Sequence, residues 1–179
     1  MNPPILSFRS NDSPYSTLTT LTFSQTKDSG GPVLPVLQGE KSDYQYFRIY
    51  NNWGLSSSIA TAQNVRVTTF DGIGSVSRTA LTAPVSQCWI RVFENGYGEN
   101  STTPGLLTSY DGTDTAVGGL LNLYTIEKGS DGSISGNIRA GSDTNGVGFI
   151  KIKTYAELPT SVTASTFLFA IAVEYEYVL

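Results

Sequence analysis

The residues that most often carry enzyme chemistry are scarce in this sequence. Its 179 residues include no histidine and a single cysteine, Cys88. Without histidine, Ser-His-Asp and Cys-His nucleophile systems and histidine-based acid–base catalysis are excluded. One cysteine without histidine also excludes ordinary zinc sites and an intrachain disulfide. We interpret Cys88 as a small apolar side chain on the inner face of a strand.

Two weaker catalytic patterns remain, and each has a simpler interpretation. Ser24 and Lys27 have the Ser-x-x-Lys spacing of some acyl-transfer enzymes, but no helix is predicted there to aim the lysine at the serine. Glu174 and Glu176 share one face of a predicted strand, as paired glycosidase carboxylates can. On an outer face they are expected to be solubilising charges. We therefore predict that the protein is not an enzyme.

Motifs for phosphate and metal binding are incomplete as well. No glycine-rich loop leads from a strand into a helix, which phosphate-cradling motifs require. The aspartate-containing turns at residues 111–114 and 131–143 offer carboxylates to calcium, but they lack the alternating aspartates and the closing glutamate of a calcium loop. We predict turn-forming aspartates, no metal site and no cofactor.

Arginines flanked by aromatic residues are the feature that best suits partner binding. Arg48, Arg66 and Arg91 each fall on the outer side of a predicted strand, with aromatic residues on the same side. If these strands pair, the sheet carries a ladder of arginines between aromatic rings. Arginine, tyrosine and tryptophan are enriched at interface hot spots. Cross-strand packing beneath loops is the alternative interpretation of the same pattern.

Three large aromatic residues extend this candidate surface. Trp89 neighbours Arg91 on its predicted strand, and Trp53 falls in a predicted loop, where a large ring suits an anchor or a sugar platform. Tyr97, in another predicted loop, is a second candidate sugar platform. The predicted partner-binding set is therefore Arg48, Trp53, Arg66, Trp89 and Arg91.

Alternating residue patterns predict the β-strands that would position these side chains. Residues 44–51, 64–70, 87–93, 148–154 and 166–178 each place apolar side chains at every second position. Glycine-containing turns separate the strands, and sustained helical periodicity is absent. We expect an all-β fold, an antiparallel β-sandwich of jelly-roll or immunoglobulin-like type, with an extended N-terminal segment.

The two ends of the chain are expected to differ. Residues 1–35 contain prolines near both ends and are predicted to be an N-terminal arm over a neighbouring subunit, or a strand plus loop joined to the chain's own sheet. Residues 36–179 are predicted to form the β-sandwich domain. The long strand at 166–178 is expected to lie centrally in its sheet, and residues 156–159 to form a single helical turn.

Charge and hydropathy restrict the partners. The net charge is −4, and the eleven basic residues are spread thinly along the chain, so we predict no nucleic acid partner. No apolar run approaches the roughly 20 residues that span a bilayer, so no membrane partner is predicted. The N-terminus lacks the basic and apolar regions of a signal peptide, and we expect synthesis in a reducing cytoplasm.

Three segments resemble small virion proteins of tailed bacteriophages. They are residues 46–52 (YFRIYNN), 62–69 (AQNVRVTT) and 89–92 (WIRV). In those proteins an aromatic-rich strand ends in a Tyr-Asn-Asn or similar turn, and an Ala-x-Asn-Val strand and a Trp-led alternating strand follow. The resemblance covers roughly residues 40 to 115. It implies a structural rather than a catalytic role.

This resemblance leads to one predicted function and one alternative. The predicted function is a capsid decoration or cement protein that bridges capsid subunits in the virion, after synthesis in the host cytoplasm. Its expected partners are the major capsid protein or other virion subunits and further copies of itself. The alternative is a tail or baseplate component, including a receptor- or carbohydrate-binding module that takes surface carbohydrate.

Overall fold

The computed structural model describes residues 1–12, 15–26, 33–71, 82–98, 107–108, 114–119, 123–125, 133–137, 148–163 and 165–178. Within these ranges the chain forms eleven strands and one short helix, α1 (Ala83–Ser86). The strands are β1 (Leu6–Ser10), β2 (Gln25–Thr26), β3 (Val33–Leu34), β4 (Gln45–Asn51), β5 (Gln63–Phe70), β6 (Ile90–Gly98), β7 (Leu107–Thr108), β8 (Thr115–Val117), β9 (Tyr124–Thr125), β10 (Phe149–Ala156) and β11 (Ala170–Glu176).

The strands form two main antiparallel sheets. The larger sheet has the order β1-β4-β10-β6, and β7 and β8 pair with the far edge of β6. β10 therefore lies between two strands that precede it in the chain, with Ile152 opposite Phe47 on one side and Glu94 on the other. The smaller sheet has the order β11-β5-β9, and β2 and β3 form a separate short pair.

Both sheets direct alternate side chains into a common core. The residues predicted to point inward from β4, β5 and β10 have no exposed surface: Phe47, Ile49, Val65, Val67, Ile150 and Ile152. Full burial of one such side chain contributes about 1.5 to 3 kcal/mol. The predicted all-β antiparallel sandwich is thus confirmed, while its jelly-roll or immunoglobulin-like type stays a prediction.

A buried asparagine at the end of β4 links three separate segments. The Asn51 side chain has no exposed surface, and its Nδ2 donates hydrogen bonds to the carbonyls of Ala60 and Ile134, both at 3.0 Å. Its Oδ1 accepts a bond from the backbone N–H of Ile5 at 3.1 Å. Because the bonds to the Ala60 and Ile134 carbonyls are buried, Asn51 satisfies groups that would otherwise be costly to bury.

The next residue, Asn52, shapes the loop that follows β4. Its φ of 68° lies in the left-handed region, which asparagine tolerates better than most residues. Its buried Nδ2 donates to the carbonyl of Gly136 at 2.8 Å and lies 3.0 Å from that of Ser57. The chain therefore turns sharply after β4, and the turn is held against the segment at 133–137.

A short helix and the turn after it precede β6, which starts later than predicted. The pattern at residues 87–93 predicted a strand throughout, but the strand β6 begins only at Ile90. Pro84 stands in the first turn of α1, where its missing N–H is not needed. Cys88 follows the helix in a turn with a φ of 55° and is half-buried, so its predicted place on a strand's inner face is wrong.

Two predictions about the C-terminal part are also wrong. Ala156 is the last residue of β10, so residues 156–159 do not begin with a helical turn. β11 spans only Ala170–Glu176 and lies at the edge of the smaller sheet, whereas the sequence predicted a longer central strand. The inner side chains Phe169, Ile171, Val173 and Tyr175 do pack against the core. An apolar inner face is common to central and edge strands, so it did not discriminate between them.

The first strand belongs to the larger sheet. β1 pairs with β4 along its whole length, from Leu6 opposite Asn51 to Ser10 opposite Phe47. The other edge of β1 is covered, because Ser10 N–H donates to the Ser16 carbonyl at 2.9 Å. Residues 27–32 lie outside the described ranges.

Candidate partner-binding surface

Cations from three neighbouring strands form a row on the outer face of the larger sheet. Arg9 of β1 is directly opposite Arg48 of β4, and Arg48 is directly opposite Lys151 of β10. Lys153, two residues further along β10, points to the same side. The alternation that buries Phe47 places all four cations away from the core. We call this surface, with the rings that contact the cations, the cation–aromatic face.

The arginines of this face lie over aromatic rings. The Arg48 guanidinium carbon is 4.3 Å from the ring centre of Tyr15 and 4.7 Å from that of Phe149. The Arg9 guanidinium carbon is 4.6 Å from the ring centre of Trp53. Contacts of this kind contribute about 0.5 to 2 kcal/mol, more where water is excluded. They hold the guanidinium groups in fixed positions.

The lysines of this face are arranged in the same way. Lys153 Nζ lies 4.3 Å from the ring centre of Tyr44 and 4.4 Å from that of Phe93. Lys151 Nζ lies 5.1 Å from the ring centre of Tyr46. Tyr44 is 53% exposed, although it packs edge-on against Phe93. This end of the face therefore offers a partner both a tyrosine ring and ammonium groups.

Arg48 lies beneath this surface rather than on it. It is 8% exposed, and its Nη1 donates to the Tyr50 hydroxyl at 3.3 Å. Its Nε has no acceptor among the described residues. Buried between two rings without a carboxylate beside it in the described part of the chain, Arg48 contributes positive potential and packing. A partner would contact Arg9, Lys151 and Lys153 more directly.

Carboxylates neutralise a separate group of cations at the other end of the sheet. Arg91 Nε lies 3.1 Å from Glu157 Oε2, and Arg91 Nη1 lies 4.0 Å from Asp114 Oδ1. Lys41 Nζ lies 3.7 Å from Glu157 Oε1. By contrast, no ion pair within the described ranges involves Arg9, Arg48 or Lys151. Within the described part of the chain, the charges of Arg9, Arg48 and Lys151 are therefore less neutralised than those of Arg91 and Lys41.

Tyr155 lies within the group around Arg91. Burial, and then its hydrogen bond to Asp114, raises the pKa of Tyr155 well above the ordinary 10.0. The phenol is therefore a proton donor to Asp114 at every physiological pH. This hydrogen bond fixes the carboxylate beside Arg91.

No protein-family profile matches the chain, and no curated protein matches it significantly.

The predicted ladder of three arginines is wrong. Arg66 belongs to β5 in the smaller sheet, where its Nη2 lies 3.9 Å from Glu174 Oε2 of β11. Arg48 and Arg91 share the larger sheet, but β10 lies between their strands. The observed row instead joins Arg48 to Arg9 and Lys151. The alternation at residues 148–154 had placed the lysines outward, but only the strand order brings them beside Arg48.

Trp53, one of the two candidate sugar platforms, is not an open ring. Trp53 does lie in the loop after β4, as predicted, but Arg9 covers one face and Tyr50 approaches it at 4.6 Å between ring centres. Tyr97 lies in β6, not in a loop, opposite Ile150 of β10. Sugar binding by an aromatic ring requires a free face, and at Trp53 one face is covered by Arg9 while Tyr50 packs against the ring.

Trp89 lies at a cleft on another part of the molecule. It is 5% exposed, its Nε1 donates to Gln87 Oε1 at 3.1 Å, and its ring meets Phe167 edge-on at 5.3 Å. The cleft has a volume of about 440 Å³ and is lined by Ala83, Gln87, Trp89, Pro159, Ser161, Val162, Thr163, Ser165 and Phe167. Its wall thus combines aromatic edges with hydroxyl and amide groups.

The carboxylates considered in the sequence have structural partners. Glu174 pairs with Arg66, and Glu176 Oε2 accepts a hydrogen bond from Asn64 Nδ2 at 2.8 Å. Of the four aspartates in the two aspartate-containing turns, Asp114 is described, whereas Asp111, Asp131 and Asp143, like Lys27, lie outside the described ranges. Within those ranges no group of three or more His, Cys, Asp or Glu residues could hold a metal ion, and no helix is long and apolar enough to cross a membrane.

Proposed function

We propose that this protein is a non-enzymatic structural component of a phage virion, a capsid decoration or cement protein. The observation that supports the proposal is the cation–aromatic face. Arginine and tyrosine are enriched among the residues that dominate the free energy of protein association. Here they are held in place by one another, so little side-chain entropy remains to be lost on binding.

The charge distribution favours an acidic protein partner. Arg9 and Lys151 form no ion pair within the described ranges, so a partner's carboxylates would find cations without competing for them. The chain as a whole has a net charge of −4, which reduces non-specific association of free copies before assembly. The same overall charge disfavours a long polyanion such as nucleic acid.

Cementing follows from many copies acting together. Each copy would bury a modest area between neighbouring capsid subunits, which are the proposed partners. Simultaneous contacts raise the effective concentration of each contact, and total affinity then exceeds that of any single one. A shell held in this way resists internal pressure and heat better than the bare shell.

Cosedimentation with capsids that lack the protein tests this proposal. Capsids of the source virus are purified without the protein, mixed with it, and sedimented; particle survival on heating is measured in parallel. Binding at a fixed stoichiometry together with raised heat tolerance is expected. Saturable binding that leaves heat tolerance unchanged would contradict the cement role, and absence of binding would contradict capsid location altogether.

A tail or baseplate component with a carbohydrate-binding site is the second candidate. The cleft beside Trp89 favours it, because hydroxyl and amide side chains next to aromatic edges suit sugar hydroxyls. Trp53 and Trp89 are the two tryptophans of the chain. In a Trp53→Phe variant, tryptophan fluorescence therefore comes from Trp89 in the cleft alone. Saturable fluorescence changes on adding host surface polysaccharide would support this candidate, and unchanged emission would exclude the cleft as the site.

A further inference from the structure

Arg48 carries a buried positive charge that the proposed capsid contact does not use. It is 8% exposed, and its Nε is buried without a hydrogen-bond acceptor. Among the described residues, its guanidinium donates one hydrogen bond, from Nη1 to the Tyr50 hydroxyl. No carboxylate in that part of the chain lies within ion-pair distance of Arg48. A buried charge without an opposite charge is costly, and proteins normally pair such groups.

Two further cations lie beside Arg48 on the neighbouring strands. Arg9 is directly opposite Arg48 on one side, and Lys151 is directly opposite it on the other. Adjacent strands are about 4.8 Å apart, so the Cα atoms of the three residues lie within about 10 Å. Like charges directly opposite one another destabilise a sheet. The row therefore concentrates positive charge at a position where the fold alone gains nothing from it.

The Nε side of the Arg48 guanidinium is the part that an anion would satisfy. Tyr15 and Phe149 lie over the guanidinium, with ring centres 4.3 and 4.7 Å from its central carbon, and Nη1 contacts Tyr50. Nε and Nη2 form an edge that can donate two parallel hydrogen bonds to two oxygens of one anion. An anion bound there would supply the missing acceptor of Nε and neutralise the charge.

We propose that Arg48 is the centre of a binding site for one tetrahedral oxyanion of the phosphate or sulfate class, with Arg9 and Lys151 at its sides. Arginine suits this ligand because its planar fork matches the spacing of oxyanion oxygens. A divalent anion suits three neighbouring cations better than a monovalent one does. Arg9 and Lys151 are half-buried and have long side chains, so both can turn toward the ligand. This site does not depend on the proposed virion role, because the ligand is free in solution.

Tyr15 is the ring over Arg48 that is held least firmly. It is half-buried, whereas Phe149 and Tyr50 are buried and belong to β10 and β4. The φ of Tyr15 is 52°, in the left-handed region that bulky residues rarely adopt and that stores strain. Since Nε is buried, an entering oxyanion has to displace a neighbouring group. Displacing Tyr15 leaves the core intact and releases the backbone strain.

Tryptophan fluorescence of a Trp89→Phe variant measures binding directly. Trp53 is then the single tryptophan, and its ring centre lies 4.6 Å from the Arg9 guanidinium carbon and 6.4 Å from the ring centre of Tyr15. Sodium sulfate and sodium phosphate at low millimolar concentration should each change its emission saturably. Sodium chloride at the same ionic strength should not. The absence of a saturable change, or an equal change with chloride, would overturn the proposal.

Thermal unfolding of the unmodified chain gives an independent measurement. Low millimolar sulfate should raise the unfolding temperature saturably, because a ligand that binds the folded state stabilises it. Arg48→Met removes the charge but keeps a long side chain between the rings, and replacing a buried charge by an apolar group is often neutral for stability. This variant should fold and should lose the saturable rise. A rise that persists in Arg48→Met would overturn the assignment of the ligand to this site.

A flanking variant tests the role of the row. Lys151→Gln should raise the sulfate dissociation constant about threefold, since a partly exposed charge contributes modestly. Arg66→Gln makes the same change in net charge on the smaller sheet and should leave the dissociation constant unchanged. Equal effects of the two variants would contradict a site flanked by Lys151.

Sodium acetate distinguishes an oxyanion site from a carboxylate site. Acetate carries one charge and should bind about tenfold more weakly than sulfate. Acetate that binds as tightly as sulfate would overturn the tetrahedral ligand and indicate a site for a carboxylate side chain. Capsids are absent from all of these measurements, so a negative result here would leave the proposed virion role unaffected.

Discussion

At the scale of single residues, two buried polar side chains, Asn51 and Arg48, have different roles. Asn51 and Arg48 are both polar and both buried, yet Asn51 satisfies three backbone groups while Arg48 lies between rings. The sequence predicted Arg48 as a contact residue because strand alternation placed it outward. Alternation does not reveal that Tyr15, from a distant segment, lies over it.

Replacing Asn51 by aspartate should destabilise the fold strongly. The substitution keeps the shape of the side chain but removes both Nδ2 donors and buries a carboxylate beside two carbonyls. We expect a loss of about 3 kcal/mol or more in the free energy of unfolding, measured by urea denaturation. Asn137→Asp, the same change at an exposed position, is the control and should cost much less. Equal losses in the two variants would contradict the role assigned to Asn51.

The raised pKa of Tyr155 predicts a stability change in alkaline solution. Since the folded-state pKa lies above the unfolded value near 10.0, the stabilisation is fully present below that pH and declines as the pH rises above it. Urea midpoints of the wild type should therefore fall more steeply above pH 10.0 than those of Tyr155→Phe. If the urea midpoints of the two proteins changed in parallel with pH, the raised pKa of Tyr155 in the folded state would be contradicted.

At the scale of elements, strand positions were predictable and strand neighbours were not. The inward-facing residues of β4, β5 and β10 follow from alternation, because a pleated strand buries every second side chain. Whether a strand is central or at an edge depends on which strands reach it, and that depends on connections of tens of residues. β11 was therefore misplaced although its inner face was correctly predicted. α1 was missed because four residues are too few to show helical periodicity.

Gly118, directly after β8, should tolerate no side chain. Its φ is 139°, and an added Cβ would lie 2.5 Å from the Val85 carbonyl oxygen and 2.9 Å from Thr69 Oγ1. We expect Gly118→Ala to lower the free energy of unfolding by at least about 2 kcal/mol. Gly119 also has a positive φ, 58°, but an added Cβ meets nothing within 4 Å. Gly119→Ala should thus lower the free energy of unfolding by only about 1 kcal/mol. Thermal denaturation of both variants measures the difference, and equal destabilisation by the two substitutions would contradict the prediction.

At the scale of the whole molecule, charge is unevenly distributed. The chain is acidic overall, yet four cations lie close together on the outer face of one sheet. Composition predicted the net charge but could not predict this arrangement, since Arg9, Arg48 and Lys151 are far apart in sequence.

Charge reversal on the cation–aromatic face should weaken partner binding. Lys151→Glu is expected to reduce capsid affinity by about tenfold, with a smaller effect at high salt because exposed charges are screened. Arg66→Glu makes the same change in net charge on the smaller sheet and is the control. Cosedimentation at two salt concentrations measures both. An equal loss in the control would indicate a general effect of net charge rather than contact through this face.

The central position of β10 has a consequence for synthesis of the chain. β4 and β6 leave the ribosome well before β10, because about 50 residues separate the end of β6 from the start of β10. At roughly 5 to 20 residues per second, the growing chain waits about 3 to 10 seconds with these two strands unpaired on the sides that β10 later fills. During that interval their apolar faces and open backbone groups are available to other nascent chains. In a cell that makes many copies at once, β4 and β6 of one nascent chain could therefore pair with strands of another before β10 is synthesised. Slower codons after β6 would lengthen the interval in which this mispairing can occur.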